Sequence, residues 1–93
     1  MAKVIRLIIS GRVQGVGYRA WTVATAFSFN LQGWVRNLRD GTVEAVFSGQ
    51  DDNVTAMIES CKKGPLASRV DGIDFYNWQE PIEDKPFHAR PTV

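Results

Sequence analysis

Trp34-Val35-Arg36-Asn37-Leu38-Arg39-Asp40-Gly41-Thr42-Val43-Glu44-Ala45-Val46-Phe47-Ser48 is the stretch that decides the fold. Two runs rich in β-branched and aromatic residues, 34–39 and 42–48, flank Asp40-Gly41. An Asp-Gly pair between such runs predicts a hairpin, because a type I′ turn needs positive φ at both central residues. A hairpin in mid-chain brings antiparallel pairing with it. The segments on either side then settle the architecture.

Immediately upstream, the spacing predicts a helix from about Arg19 to Leu31, with Ala20, Val23, Ala24, Phe27 and Leu31 as its apolar stripe and Gly33 closing the segment. Downstream, Val54, Met57, Ile58 and Cys61 form the stripe of a second helix, with Asp51 or Asp52 as its cap. Lys62-Lys63-Gly64-Pro65 ends it: cations suit the negative helix end, glycine suits the residue past the end, and proline blocks continuation.

Further out, Val4 to Ser10 reads as a strand whose Ile5, Leu7 and Ile9 alternate onto one face, the face for the core. Arg69 to Gln79 reads as a fourth, half-exposed edge strand. The polar segment from Glu80 to Pro86 reads as a loop, and Phe87 to Thr92 as a short last strand that Pro91 confines to an edge. The order β-α-β-β-α-β predicts a ferredoxin-like α+β sandwich. In that fold an antiparallel sheet carries two helices on one face, with a right-handed crossover after the first strand. Many unrelated functions share this architecture, so it decides no chemistry.

A chain of 93 residues with 44% hydrophobic and 23% charged residues suits a single globular domain over residues 1–93. A formal net charge of +1 and the lack of a basic stripe argue against nucleic acid and anionic membranes as partners. The RNA-recognition signature that some sandwiches of this topology carry is also absent. No apolar run is long enough to span a bilayer, and Arg6 interrupts the apolar start that a signal peptide would need. Cys61 is the sole cysteine, so no intramolecular disulfide is expected, which fits a reducing, cytoplasmic setting. A monomer is expected.

Between the first strand and the first helix lies Gly11-Arg12-Val13-Gln14-Gly15-Val16-Gly17-Tyr18-Arg19. Glycines there allow backbone N–H groups to converge into a nest for a tetrahedral anion. A helix start adds partial positive charge, and Arg19 adds a flat fork of donors matched to phosphate oxygens. The segment is neither a Walker A loop, since no Gly-Lys-Ser/Thr follows, nor a dinucleotide fingerprint, since its glycine spacing differs. A plain reading stands beside this one: a glycine-rich corner with Arg19 in solvent. Asn37 is the second candidate. Asparagine is disfavoured within strands, so it either bonds the neighbouring turn or orients a ligand or water; pattern alone favours the turn.

Duller readings fit the remaining polar and aromatic residues. His88, the single histidine, reads as a surface residue, and Cys61 as core. Asp71, Asp74, Glu80, Glu83 and Asp84 read as solvated charges, and no zinc or calcium ligand spacing occurs. Trp21, Trp34 and Trp78 read as packing residues.

Residues 11–19 resemble the phosphate-loop signature of the acylphosphatase family. Gly33-Trp34-Val35-Arg36-Asn37-Leu38, followed by Asp40-Gly41-Thr42-Val43-Glu44, resembles its second motif. Gly64-Pro65 with Val70, and Phe87 with Arg90-Pro91-Thr92-Val93, are similar to its later landmarks, so the resemblance covers essentially the whole chain. It implies the ferredoxin-like sandwich and hydrolysis of an acyl phosphate to carboxylate and inorganic phosphate, without metal or cofactor. It also implies that the backbone of Gly11, Arg12, Val13, Gln14, Gly15, Val16, Gly17 and Tyr18, together with Arg19, holds the phosphoryl group, while Asn37 places the water. Tyr18 stands where the family often has Phe, and Gly17 where a bulkier residue is common; neither departure removes a group the chemistry needs. Related domains inside larger maturation proteins suggest an alternative, a phosphate- or carbamoyl-phosphate-binding module. A chain ending soon after the sandwich points instead to a free-standing enzyme.

Overall fold

The structure, a computed structural model, describes residues 2–93; Met1 lies outside the described residues. Strands β2 (Gln32–Asn37) and β3 (Val43–Gln50) form the expected antiparallel hairpin, paired from Gln32↔Ser48 to Asn37↔Val43. Its turn is not type I′. Among the turn residues only Gly41 has a positive φ, 95°. Gly41 N–H donates to Leu38 O (3.1 Å) and Leu38 N–H to Thr42 O (2.9 Å). That is a three-residue loop ending in a left-handed glycine. Asp40 is held differently: its carboxylate accepts from Thr42 N (3.0 Å) and Thr42 Oγ1 (2.6 Å). Those bonds, the hydroxyl's foremost, hold the Asp40 carboxyl below the usual range.

The sheet has the order β4-β1-β3-β2-β5. Strand β1 (Ala2–Arg12) is its middle-left member, antiparallel to both β3 and β4 (Arg69–Asn77). Gly11 and Arg12, expected in the loop, are instead the last two rungs of β1, opposite Val70 and Arg69 after a bulge at Ser10/Gly11. Gly11 has φ 124°, and a Cβ there would lie 2.2 Å from Arg69 O, so only glycine lets β4 approach this closely. Strand β5 (His88–Ala89) is shorter than expected and pairs parallel with β2, so the sheet is mixed rather than wholly antiparallel. Beyond it the chain still follows β2, with Arg90 N–H on Val35 O (2.8 Å) and Val93 N–H on Asn37 O (3.3 Å). Pro91 has no N–H to continue a ladder between them.

Helices α1 (Tyr18–Ser28) and α2 (Asp51–Lys63) pack on one face of this sheet. The stripe that α1 buries is Tyr18, Thr22 and Ala26, not the one the apolar pattern indicates; Ala20, Ala24 and Phe27 are exposed. Thr22 can be buried because its hydroxyl donates to Tyr18 O within the helix (2.7 Å). Tyr18 can be buried because its own hydroxyl donates to Cys61 O on α2 (2.7 Å). Val54, Met57 and Cys61 of α2 are buried as the spacing indicates. Its N-cap is Gln50, without a side-chain bond; Asp51 and Asp52 sit in the first turn, where their charge suits the helix start.

Strand alternation sends Leu7, Ile9, Val35, Val43, Ala45 and Phe47 into the core under the helices. The opposite face is closed by different chemistry. Glu44, 3% exposed, accepts from Arg6 Nε on Oε2 and from Arg36 Nε on Oε1, both at 2.6 Å. The guanidiniums of Arg36 and Arg90 lie 4.7 and 4.4 Å from the Trp34 ring centre, Trp78 meets Trp34 edge-on, and Arg6 lies over Tyr76.

Candidate active site

The chain leaves β1 at Arg12 and enters α1 at Tyr18 through residues 13–17. Gly15 and Gly17 have φ of 73° and 79°, and a Cβ at either would meet nothing within 4 Å. Their glycine character therefore answers a left-handed backbone, not a lack of room. Gly17 is the N-cap of α1, so no side chain takes up the first helical N–H groups, and the first turn carries no acidic residue. The helix start is left as a cluster of outward donors with unopposed partial positive charge.

That start borders a cavity of about 340 Å³ lined by Val13, Gly15, Gly17, Tyr18, Arg19, Ala20, Asn37 and Ala89. Arg19 on α1 and Asn37 at the end of β2, 18 residues apart in sequence, thus face one space. Asn37 Oδ1 is buried and has no hydrogen-bond partner among the described residues. The turn-bonding alternative for Asn37 therefore finds no support at its carbonyl oxygen. Buried polar atoms are nearly always paired, so the Asn37 amide, on the lining of this cavity, is a side chain whose hydrogen bonding the described residues leave incomplete.

Of the other residues expected at the site, Val13, Gly15, Gly17 and Tyr18 line the cavity, whereas Gly11, Arg12, Gln14 and Val16 do not. Gly11 and Arg12 belong to the sheet, Arg12 is exposed, and Val16 packs against the core. The Gln14 side chain is engaged elsewhere, on Leu38 O and Thr42 O. Ala20 and Ala89 line the cavity without having been expected there. Ala20, next to Arg19 in the first helical turn, was within reach of sequence reasoning; Ala89 was not, because nothing local signals that β5 lies beside β2.

Tyr18 and Cys61 are buried, uncharged neighbours. Burial, and after it the neighbouring Cys61, pushes the Tyr18 phenol far above its ordinary range; burial pushes the Cys61 thiol up to about 12. Both are neutral at pH 7, and the Tyr18 hydroxyl is committed to Cys61 O. Gly64 makes room for this arrangement, since a Cβ there would lie 2.7 Å from Tyr18 Cε2. His88 is partly buried at a sheet edge with Nδ1 3.1 Å from Pro86 O, and it does not line the cavity.

Fold and cavity together define a class: a ferredoxin-like α+β sandwich whose first loop–helix junction meets an arginine and an amide in one small cavity. A sequence profile described as acylphosphatase matches residues 5–89. The acylphosphatase of Rhodospirillum rubrum is 54% identical over 92 residues, covering 98% of this chain and 99% of that protein. That of Azorhizobium caulinodans is 46% identical over the full length of both. Among solved structures, the acylphosphatase from Bacillus subtilis matches with a TM-score of 0.88 at 32% identity, covering 97% of this chain and 99% of the other. The chain belongs to the acylphosphatase family and is a hydrolase of acyl phosphates.

Proposed function

We propose that the cavity is the catalytic site, that Arg19 and the backbone amides of Val13, Gly15, Gly17 and Tyr18 hold the phosphoryl group, and that Asn37 aims the attacking water. The observation that carries this reading is that Arg19 and Asn37, from different elements, line one cavity, and that the Asn37 amide has an oxygen without a partner among the described residues. An acyl phosphate already has a good leaving group in its carboxylate. Catalysis then consists of gathering an anion, neutralising charge on its oxygens and aligning water behind phosphorus. The guanidinium fork and the α1 N–H groups act on the phosphoryl oxygens. The Asn37 carboxamide hydrogen-bonds the water and holds it behind phosphorus, with a lone pair directed at that atom. As the P–O bond to water forms, the bond to the carboxylate breaks, and the leaving carboxylate takes the electron pair. No lining side chain is a general base at neutral pH, so the water's proton passes to a phosphoryl oxygen or to the leaving carboxylate.

The test is benzoyl phosphate hydrolysis with and without EDTA. Arg19→Ala is expected to lower kcat/KM by at least ~10²-fold, Arg19→Lys to restore little because a point charge lacks the fork, and EDTA to change nothing. Asn37→Ala is expected to lower kcat while inorganic phosphate still inhibits. Wild-type turnover by Arg19→Ala, or equal loss of phosphate affinity in Asn37→Ala, overturns the assignment.

A further inference from the structure

We propose that Gln14 is a positioning residue that sets the spacing between the phosphate cradle and Asn37; this rests on the functional reading above. The two halves of the site share no ladder. The cradle follows β1, Asn37 ends β2, and β3 lies between those strands. The link across this gap is the Gln14 carboxamide, whose Nε2 donates to Leu38 O at 2.7 Å and to Thr42 O at 2.9 Å.

Several features make this contact specific. The amide nitrogen has two protons, and both are used, one on each carbonyl. Its orientation is fixed by chemistry, because reversing the amide would turn an acceptor toward two acceptors. The carbonyls belong to the residues that close the β2–β3 turn through Leu38 N–H on Thr42 O, and Leu38 adjoins Asn37. Gln14 therefore grips the turn at its root from within the cradle loop. It does so without lining the cavity, so its effect on the reaction passes through Asn37. A glutamate would press a carboxylate onto two carbonyl oxygens, and an asparagine would be one methylene short.

The test is a double-mutant cycle on benzoyl phosphate turnover, with inhibition by inorganic phosphate measured in parallel. Displacing a positioned group by an ångström costs on the order of 10²-fold, so Gln14→Met, which keeps length and apolar packing but donates nothing, is expected to lower kcat by roughly 10- to 100-fold. Phosphate inhibition is expected to stay within about twofold of wild type. In an Asn37→Ala background, where there is no amide left to place, Gln14→Met is expected to cost at most about twofold more. Multiplicative losses, or a loss of phosphate affinity that matches the loss of kcat, overturn the proposal. If Gln14→Met fails to fold, Gln14→Lys supplies a donor of similar reach; wild-type kcat in both Gln14→Lys and Gln14→Ala then overturns it, whereas activity in Gln14→Lys alone supports it. Failure of the wild-type chain to hydrolyse benzoyl phosphate would instead strike the underlying functional reading.

Discussion

One sheet is closed in two ways. Under the helices, Leu7, Ile9, Val35, Val43, Ala45 and Phe47 meet Val54, Met57 and Cys61 in an apolar core. On the other side no helix packs, and the cover is Arg6, Arg36 and Arg90 spread over Glu44, Trp34 and Tyr76. Apolar contact is indifferent to ionic strength and costs a cavity when a side chain is trimmed. The arginine layer works by paired charge and by guanidinium stems and planes lying on aromatic rings, so it responds to salt and to loss of a partner. The lesson is that a two-layer sandwich can finish its second face without a third layer, provided the one buried carboxylate there is fully paired.

The largest effect that sharpens this contrast is Leu7→Ala. Leu7 is fully buried, and its truncation is expected to destabilise by about 2–5 kcal/mol, unchanged between low and high salt. Urea denaturation at two ionic strengths measures both points. Glu44→Leu comes next. It leaves Arg6 and Arg36 facing each other over an apolar group, but both arginines are about a quarter exposed and can rehydrate. A loss of about 1–3 kcal/mol is expected, with part of it recovered in 1 M salt on the order of the screening expected there. A loss that ignores salt would mean the two faces do not differ in kind.

A smaller effect lies at alkaline pH on the helix side. Burial raises the Cys61 thiol from 9.0 to about 12 in the folded chain. Folding therefore favours the protonated form. The associated stability is complete below pH 9.0 and disappears as pH climbs toward about 12. Cys61→Ala is expected to flatten that limb of a thermal-stability profile, with Tyr18 supplying the remaining slope.

The smallest effect belongs to the other side, where Glu83 accepts from Arg90 Nη2 at 2.8 Å. That bond first, and Lys85 after it, holds the exposed Glu83 carboxyl below its usual 4.5. Its contribution is present above pH 4.5 and fades as pH falls through the lower folded value. Glu83→Gln is expected to flatten the acid limb slightly and leave the alkaline one untouched, as followed by circular dichroism.

The hairpin, both helices and the β-α-β-β-α-β succession of elements were legible in the sequence because each element rests on a local period or a turn pair. Three features were not, for identifiable reasons. The buried stripe of α1 includes a threonine whose hydroxyl is satisfied inside its own helix, so hydrophobicity points to the wrong face. The turn at Asp40-Gly41 takes another form because Thr42 engages the aspartate. The parallel pairing of β5 depends on contacts across more than fifty residues, beyond any local pattern. At the site, Arg19 and Asn37 could be named from residue chemistry and family motif, but their common cavity is a product of topology. The engagement of the Gln14 side chain is likewise visible only in space.

The tryptophans are divided between the two sides of the sheet. Trp21 sits by the Tyr18 ring at 5.3 Å on the helix side, and Trp34 is enclosed by two guanidiniums and the edge of Trp78 on the other. Intrinsic fluorescence is therefore a two-channel signal. Retaining only Trp21 reports loosening near the cavity, and retaining only Trp34 reports peeling of the arginine layer, so a difference between their emission midpoints would time the two events separately.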